Sequence, residues 1–266
     1  MYAFQYERAT DAQSAVAKLK ADGDAKILAG GQSLLAAMKL RLAAPSTLID
    51  INRIPGMAEI HVQGDELVIG ACARHADVAA HPDVMRRIPA LAALAHVIGD
   101  RQVRAVGTLG GSLANDDPAA DYPAAVLGLN ATVVTDRRSI AADDFFKGLY
   151  ETALAPDELI TAVRFPVPDQ AGYEKMRNPA SRFALVGVMV ARTGNTVRVA
   201  VTGAADSVFR APALEQALSA SFTPAAARAV RMDPSGLNGD LHASPEYRAH
   251  LIPVLAARAV EQALKG

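Results

Sequence analysis

A chain of 266 residues, 51% hydrophobic and 21% charged, can bury a full core in one large or two modest domains. Its formal net charge of -1, with no concentrated Lys/Arg stripe, argues against nucleic acid or an anionic membrane surface as a partner. One cysteine, Cys72, excludes an internal disulfide or an iron–sulfur cluster held by this chain alone, and fits a reducing, cytoplasmic compartment. No apolar run is long enough to span a bilayer, and the N-terminus lacks the pattern of a secretory signal.

In chain order, Thr10 with Gln13 makes a capping-box pattern before DAQSAVAKLKAD, in which Val16 and Leu19 share a helix face and Gly23 marks the stop. KILAG (26–30) reads as a short buried strand ended by glycine. Ser33 then caps LLAAMKLRLA, with Leu34, Leu35, Met38 and Leu42 at helical spacing. Pro45 ends that helix, and TLIDI (47–51) is a further strand, so residues 1–55 read as a β–α–β–α–β unit.

The texture changes after Pro55-Gly56. IHV and ELVIGA, separated by Gln63-Gly64-Asp65, make a hairpin signal. A helix-rich stretch interrupted by Pro82 and Pro89 follows, then a helix in PAADYPAAVLGLN with Pro118 near its start, then the strands ATVVTD and ELITAVRFPVP. From 172 to 266 a third texture holds a strand pair, ALVGVMVAR and TVRVAVTGAA. Beyond it lie two proline-started helices and a long final helix containing Pro253. The expected fold class is α+β, with units at 1–55, 56–171 and 172–266.

Two similarly built stretches stand out: ILAGGQSLL from Ile27 and GTLGGSLANDDPAAD from Gly107. Glycine permits positive φ and close approach to a ligand, and consecutive exposed N–H groups form an anion-binding nest. Two such loops facing each other, with the hydroxyls of Ser33 and Ser112, could hold both phosphates of a pyrophosphate. A glycine pair between strand and helix is also an ordinary turn, and the GxGxxG fingerprint is absent, so spacing alone leaves both readings open. Asp121 either accepts hydrogen bonds from sugar or polyol hydroxyls or serves the start of a helix. The histidines (His61, His75, His81, His96, His242, His250) show no metal-ligand spacing, and no catalytic nucleophile or metal site is expected.

AGGQSLLAAMKLRLAAPSTLIDINRIPG and QVRAVGTLGGSLANDDPAADYPA resemble the FAD-binding medium subunit of the molybdenum hydroxylases, the carbon monoxide dehydrogenase and xanthine dehydrogenase relatives. The similarity runs through DELITAVRFPVP and YEKMRNPASRFALVGV to cover essentially the whole chain. The resemblance implies the FAD-binding fold of the vanillyl-alcohol oxidase type: two α/β subdomains around FAD and a third with a three-stranded antiparallel sheet and helices. It implies that Ala29, Gly30, Gly31, Gln32 and Ser33 clasp the pyrophosphate with Thr108, Leu109, Gly110, Gly111 and Ser112. Lys26, Ile27, Leu28 and Leu34 would run beside the nucleotide, and Ile98 and Gly99 would lie near the flavin. Asn115 and Asp121 would hold polar parts, Ile160 or Leu159 would pack on adenine, and Lys175 would reach toward the cofactor. Phe183, where relatives often have tyrosine, would approach the isoalloxazine ring.

The same resemblance implies an electron-transfer subunit of a heterotrimer or its dimer. A large subunit would hold the molybdenum-pterin and a small one the [2Fe–2S] clusters that feed FAD here. Ser112 replaces a common asparagine, Asp116-Asp117 is more acidic than usual, and the cysteine-rich insertion of some relatives is absent. Two other readings stay open: an assembly module without functional flavin, and a stand-alone flavin reductase of the same fold.

Overall fold

The computed structural model describes residues 1–265. Strands Gln5–Arg8, Lys26–Leu28 and Thr47–Asp50 form a parallel sheet with the last of them in the middle. Parallel neighbours need long crossovers, and the helices Ala12–Ala21 and Leu34–Lys39 supply them. The first helix begins one position later than the sequence pattern predicts. Asp11 rather than Thr10 is the cap: its carboxylate accepts from the Ser14 amide at 2.7 Å, and Ser14 Oγ accepts in return from the Asp11 amide at 3.2 Å. An ionised carboxylate caps at least as well as a hydroxyl, so the capping-box geometry closes one residue along.

Two further expectations are corrected. Lys26–Leu28 is an edge strand whose Lys26 is exposed and whose Ile27 and Leu28 are only half-buried. The second helix stops at Lys39, Arg41 turns the chain at φ 62°, and Leu42 ends 79% exposed instead of facing the core. Ser33 does occupy the cap position of that helix, but its hydroxyl makes no cap bond.

The second sheet is antiparallel and five-stranded, in the order Ile60–Gln63, Glu66–Gly70, Ile160–Pro166, Thr132–Thr135, Ser139–Ala141. Six short helices lie between its second and third strands in sequence: His75–Ala80, Pro82–Arg87, Pro89–His96, Arg101–Val106, Leu109–Asn115 and Tyr122–Gly128. Proline in the first turn starts three of them, since its missing N–H is one that a helix start leaves unpaired anyway. In the last of these the proline is Pro123; Pro118 lies outside the helix.

The third sheet pairs Gln170–Arg177, Ala184–Thr193 and Thr196–Thr202 antiparallel and adds the two-residue strand Phe209–Arg210 at one edge. Helices Pro212–Ala220, Pro224–Ala229 and Pro245–Ala263 cover one face, with Pro253 buried inside the last. Residues of the opposite face, among them Tyr173, Met189 and Ala200, join the same apolar core as Leu91, Leu94 and Val126 from the middle of the chain.

Candidate functional site

A cavity of about 680 Å³ opens where the first sheet, the central helices and the third sheet meet. Its walls take in every sequence-predicted position from Lys26 to Leu34 except Leu28, together with Ile98, Gly99, Thr108, Gly110, Gly111, Ser112, Asn115, Asp121, Leu159, Ile160 and Phe183. Leu28, Leu109 and Lys175 are not part of the wall, and Leu109 is fully buried in the core. Leu28 packs behind the first glycine loop, where its Cδ1 would lie 3.0 Å from a Cβ on Gly31. Lys175 is turned away into an ion pair.

The two glycine stretches do face each other. A Cβ on Gly30 would stand 2.0 Å from the Val106 carbonyl oxygen, so only glycine lets the first loop approach the backbone that leads into the second. Gly31 takes φ +72°, the left-handed conformation that favours glycine. Among the described residues, no acceptor takes the N–H groups of Gly30, Gly31, Gln32, Ser33 or Leu34. A row of bare donors is what the nest reading requires, where an ordinary turn would pair at least some of them.

The second stretch is built differently from the expected turn. Gly110 and Gly111 sit inside the helix Leu109–Asn115, without positive φ, and Thr108 is its cap, accepting from the Gly111 amide at 3.2 Å. The amides of Leu109, Gly110 and Ser112 donate to the carbonyls of Ala73, Ala71 and Thr108. This loop therefore offers the cavity hydroxyls and a wall stripped of side chains, not a second set of free N–H groups.

Asp121 lies at the start of the helix Tyr122–Gly128 but makes no cap bond. Its carboxylate, 4% exposed, accepts from Tyr173 Oη at 2.5 Å and from Lys175 Nζ at 3.0 Å. Burial pushes this carboxyl up, while the Lys175 ammonium and the Tyr173 hydroxyl pull it back. Its wall position stands, but its oxygens already have partners inside the protein.

Sequence reasoning missed several wall residues. His75 is buried beneath Gly107, with its Nδ1 unpartnered, and burial followed by the Arg104 charge brings its pKa down to about 4, so it is neutral at pH 7. Glu158 accepts from Arg138 Nε and Nη2, Thr135 Oγ1 and the Ala155 amide, which fixes the 154–160 wall. Arg138 is the main cause of a Glu158 pKa held down to about 2. Arg182 completes the rim beside Phe183. The DELI motif was a visible signal for Glu158; no local pattern marked His75 or Arg182.

A largely apolar cavity of this size, with a row of bare N–H donors on one wall, has the character of a site for a ligand with an anionic group and a large apolar body, a class that includes the dinucleotide cofactors. Comparison with known proteins narrows the class. Residues 2–168 match the FAD binding domain in molybdopterin dehydrogenase, and residues 171–263 match the CO dehydrogenase flavoprotein C-terminal domain. The nicotine 6-hydroxylase medium subunit of Paenarthrobacter nicotinovorans is 38% identical, over 98% of this chain and 97% of that protein. The carbon monoxide dehydrogenase medium chain of Hydrogenophaga pseudoflava is 36% identical over 98% and 96%.

Among solved structures, carbon monoxide dehydrogenase from Hydrogenophaga pseudoflava superposes with a TM-score of 0.87 at 35% identity, covering 99% of this chain and 98% of that one. Quinoline 2-oxidoreductase from Pseudomonas putida 86 gives 0.89 at 29% identity, covering 100% and 98%. The chain belongs to the FAD-binding medium subunits of the molybdenum hydroxylases, a family of oxidoreductase subunits.

Proposed function

We propose that this chain is the electron-transfer subunit of a heteromeric molybdenum hydroxylase and holds FAD in the cavity between its sheets. The observation that carries the reading is the row of bare N–H groups from Gly30 to Leu34, facing the side-chain-free wall at Gly110 and Gly111. These donors suit the pyrophosphate, and the Thr108 and Ser112 hydroxyls add polar groups opposite them. Lys26, Ile27 and Ala29 run beside the nucleotide, Leu159 or Ile160 packs on adenine, and Ile98, Gly99 and Phe183 border the flavin. Asn115 reaches polar parts of the cofactor.

When bound, FAD supplies the redox junction between iron–sulfur centres on one partner and an external acceptor. The chain itself binds the cofactor, orients it and shapes the electrostatics around it. Substrate oxidation belongs to a large molybdenum-pterin subunit and the [2Fe–2S] relay to a small one. Relatives named for carbon monoxide, nicotine and caffeine supply candidate substrates.

The test is the visible absorbance spectrum of the chain purified with its co-expressed partners, followed as carbon monoxide, an aldehyde and an N-heterocycle are added in turn. Flavin bands that bleach with one of them are expected. Flavin that stays oxidised while the molybdenum subunit turns over would sink the electron-transfer role, and a chain that takes up no FAD would leave the assembly-module reading.

A further inference from the structure

We propose that Lys175 is a positioning residue: it seats the Phe183 ring across the mouth of the cavity and thereby sets how fast a bound dinucleotide leaves. The inference rests on the FAD reading above and concerns a residue that does not touch the cavity. Lys175 lies on the strand Gln170–Arg177 with its side chain only 4% exposed. An ammonium has three N–H donors and no acceptor. Here they face Asp121 Oδ1 at 2.9 Å, Asp121 Oδ2 at 3.0 Å and the Arg182 carbonyl oxygen at 3.1 Å. No donor is left for a ligand, so any influence of Lys175 on the cofactor passes through the groups it holds.

Those groups lead to Phe183. Asp121 is itself fixed by Tyr173 Oη from the same strand as Lys175, which makes the pair a rigid base. Arg182, one bond from Phe183, sits at φ 64°, a conformation that costs a non-glycine residue energy and persists only where its surroundings hold it. Four bonds hold it. The Lys175 ammonium donates to its carbonyl, and its own amide donates to the Asn178 carbonyl at 2.9 Å. Its guanidinium reaches the Gly99 carbonyl at 3.4 Å, and the Phe183 carbonyl accepts from the Asn178 amide at 2.8 Å, closing the turn. The outcome is a phenylalanine left 47% exposed yet facing the cavity. An apolar ring in that position loses exposed surface when a ligand lies under it.

The experiment loads the full chain with FAD and follows its release after dilution by the rise in fluorescence of free FAD. Phe183→Ala is expected to speed release roughly tenfold, since changes at a binding site act mainly on the off-rate. Lys175→Met is expected to speed it in the native background and to add nothing to Phe183→Ala, because both remove the same seated ring. Lys175→Arg, which keeps the charge and the reach, should restore most of the native rate.

Lys175→Met strands the Asp121 charge and so threatens folding. Arg182→Met removes only the Gly99 tether, leaves the buried pair intact and should show the same non-additivity with Phe183→Ala. Effects of Lys175→Met and Phe183→Ala that multiply would assign Lys175 a direct contact and overturn the inference. An unchanged release rate in Phe183→Ala would overturn it as well. A native chain that takes up no FAD gives no release signal in any variant, and it removes the cofactor reading together with this one.

Discussion

Asp116 is the side chain most at odds with its surroundings. It is buried, sits at φ 44° where the helix Leu109–Asn115 ends, and leaves Oδ2 without a partner. Burial, and after it the neighbouring Asp117 charge, pushes its pKa up to about 7. A folded-state value above that of a free carboxylate means that folding takes up a proton. The contribution to stability is then complete below about pH 4 and is lost as pH rises through 7. Asn tolerates the left-handed region and carries no charge, so Asp116→Asn should stabilise the chain at pH 8 by about 1–3 kcal/mol. Urea midpoints measured across that range should converge as the acid end is approached; a gap independent of pH would refute the charge argument. Gly111→Val acts on the ligand instead. Its side chain would stand against Thr108 Oγ1, 2.8 Å from the new Cβ, and on the wall opposite Ala29. FAD affinity should fall about 100-fold or more, read as lost flavin occupancy, whereas full occupancy would remove this wall from the site. Of the two residues, Gly111 was legible because its motif is local. Asp116 was readable only as an acidic departure, since its burial depends on residues far away in sequence.

Elements were legible where punctuation and periodicity agree. Pro212 and Pro224 each start a helix where proline at the first position predicts one, and Gly64 closes its hairpin at φ +61°; Pro82 and Pro89, read as interruptions, prove to be helix starts as well. The helix Leu109–Asn115 was not legible, because a glycine pair reads as a turn. Thr108 caps it, and the Ala71 and Ala73 carbonyls take the amides that its first turn leaves over, so tertiary contacts override the low helix propensity of glycine. Lys175 was expected at the cofactor because the resemblance places it there, and nothing in its sequence neighbourhood names Asp121, 54 positions away, as its partner. The wall element at 154–160 gives the prediction of this scale. Glu158→Gln keeps the shape but removes the charge that holds Arg138, which is itself half exposed, so the loss at pH 7 should be about 1–2 kcal/mol after solvent screening. FAD should also bind more weakly, because Leu159 and Ile160 ride on that wall. The native carboxylate has its pKa lowered from 4.5 to about 2, so its stabilisation is present above 4.5 and is lost as pH falls through 2. Wild-type and variant denaturation curves should therefore approach each other between those two values. Curves that stay apart at the acid end would assign the loss to shape alone.

For the whole molecule the question is how many cooperative units the three larger sheets make. The family matches divide the chain at about residue 170, yet the core ignores that division. Tyr173, Met189, Ala191, Ala200 and Val208 are packed in one apolar cluster with Leu91, Leu94, Ala125 and Val126, and Asp121 is tied to the third sheet by Lys175 and Tyr173. Separating the halves would expose that cluster and strand a buried ion pair, so the third sheet and the central helices should unfold together. The cavity adds a second tie, since its wall runs from Lys26 through Ile160 to Phe183, and a ligand there would touch the first two sheets and the turn that leads into the strand Ala184–Thr193 of the third. A ligand bound only by the folded state stabilises by about 2.7 kcal/mol at one hundred times its Kd. For a chain of this size that corresponds to a rise in Tm of about 5–10 °C. Calorimetry of the apo chain should show a single transition, and FAD should move the whole of it upward. Two transitions, of which FAD moves only the one belonging to residues before 170, would mean that the shared core is too weak to couple the sheets and that Phe183 contributes little to holding the cofactor.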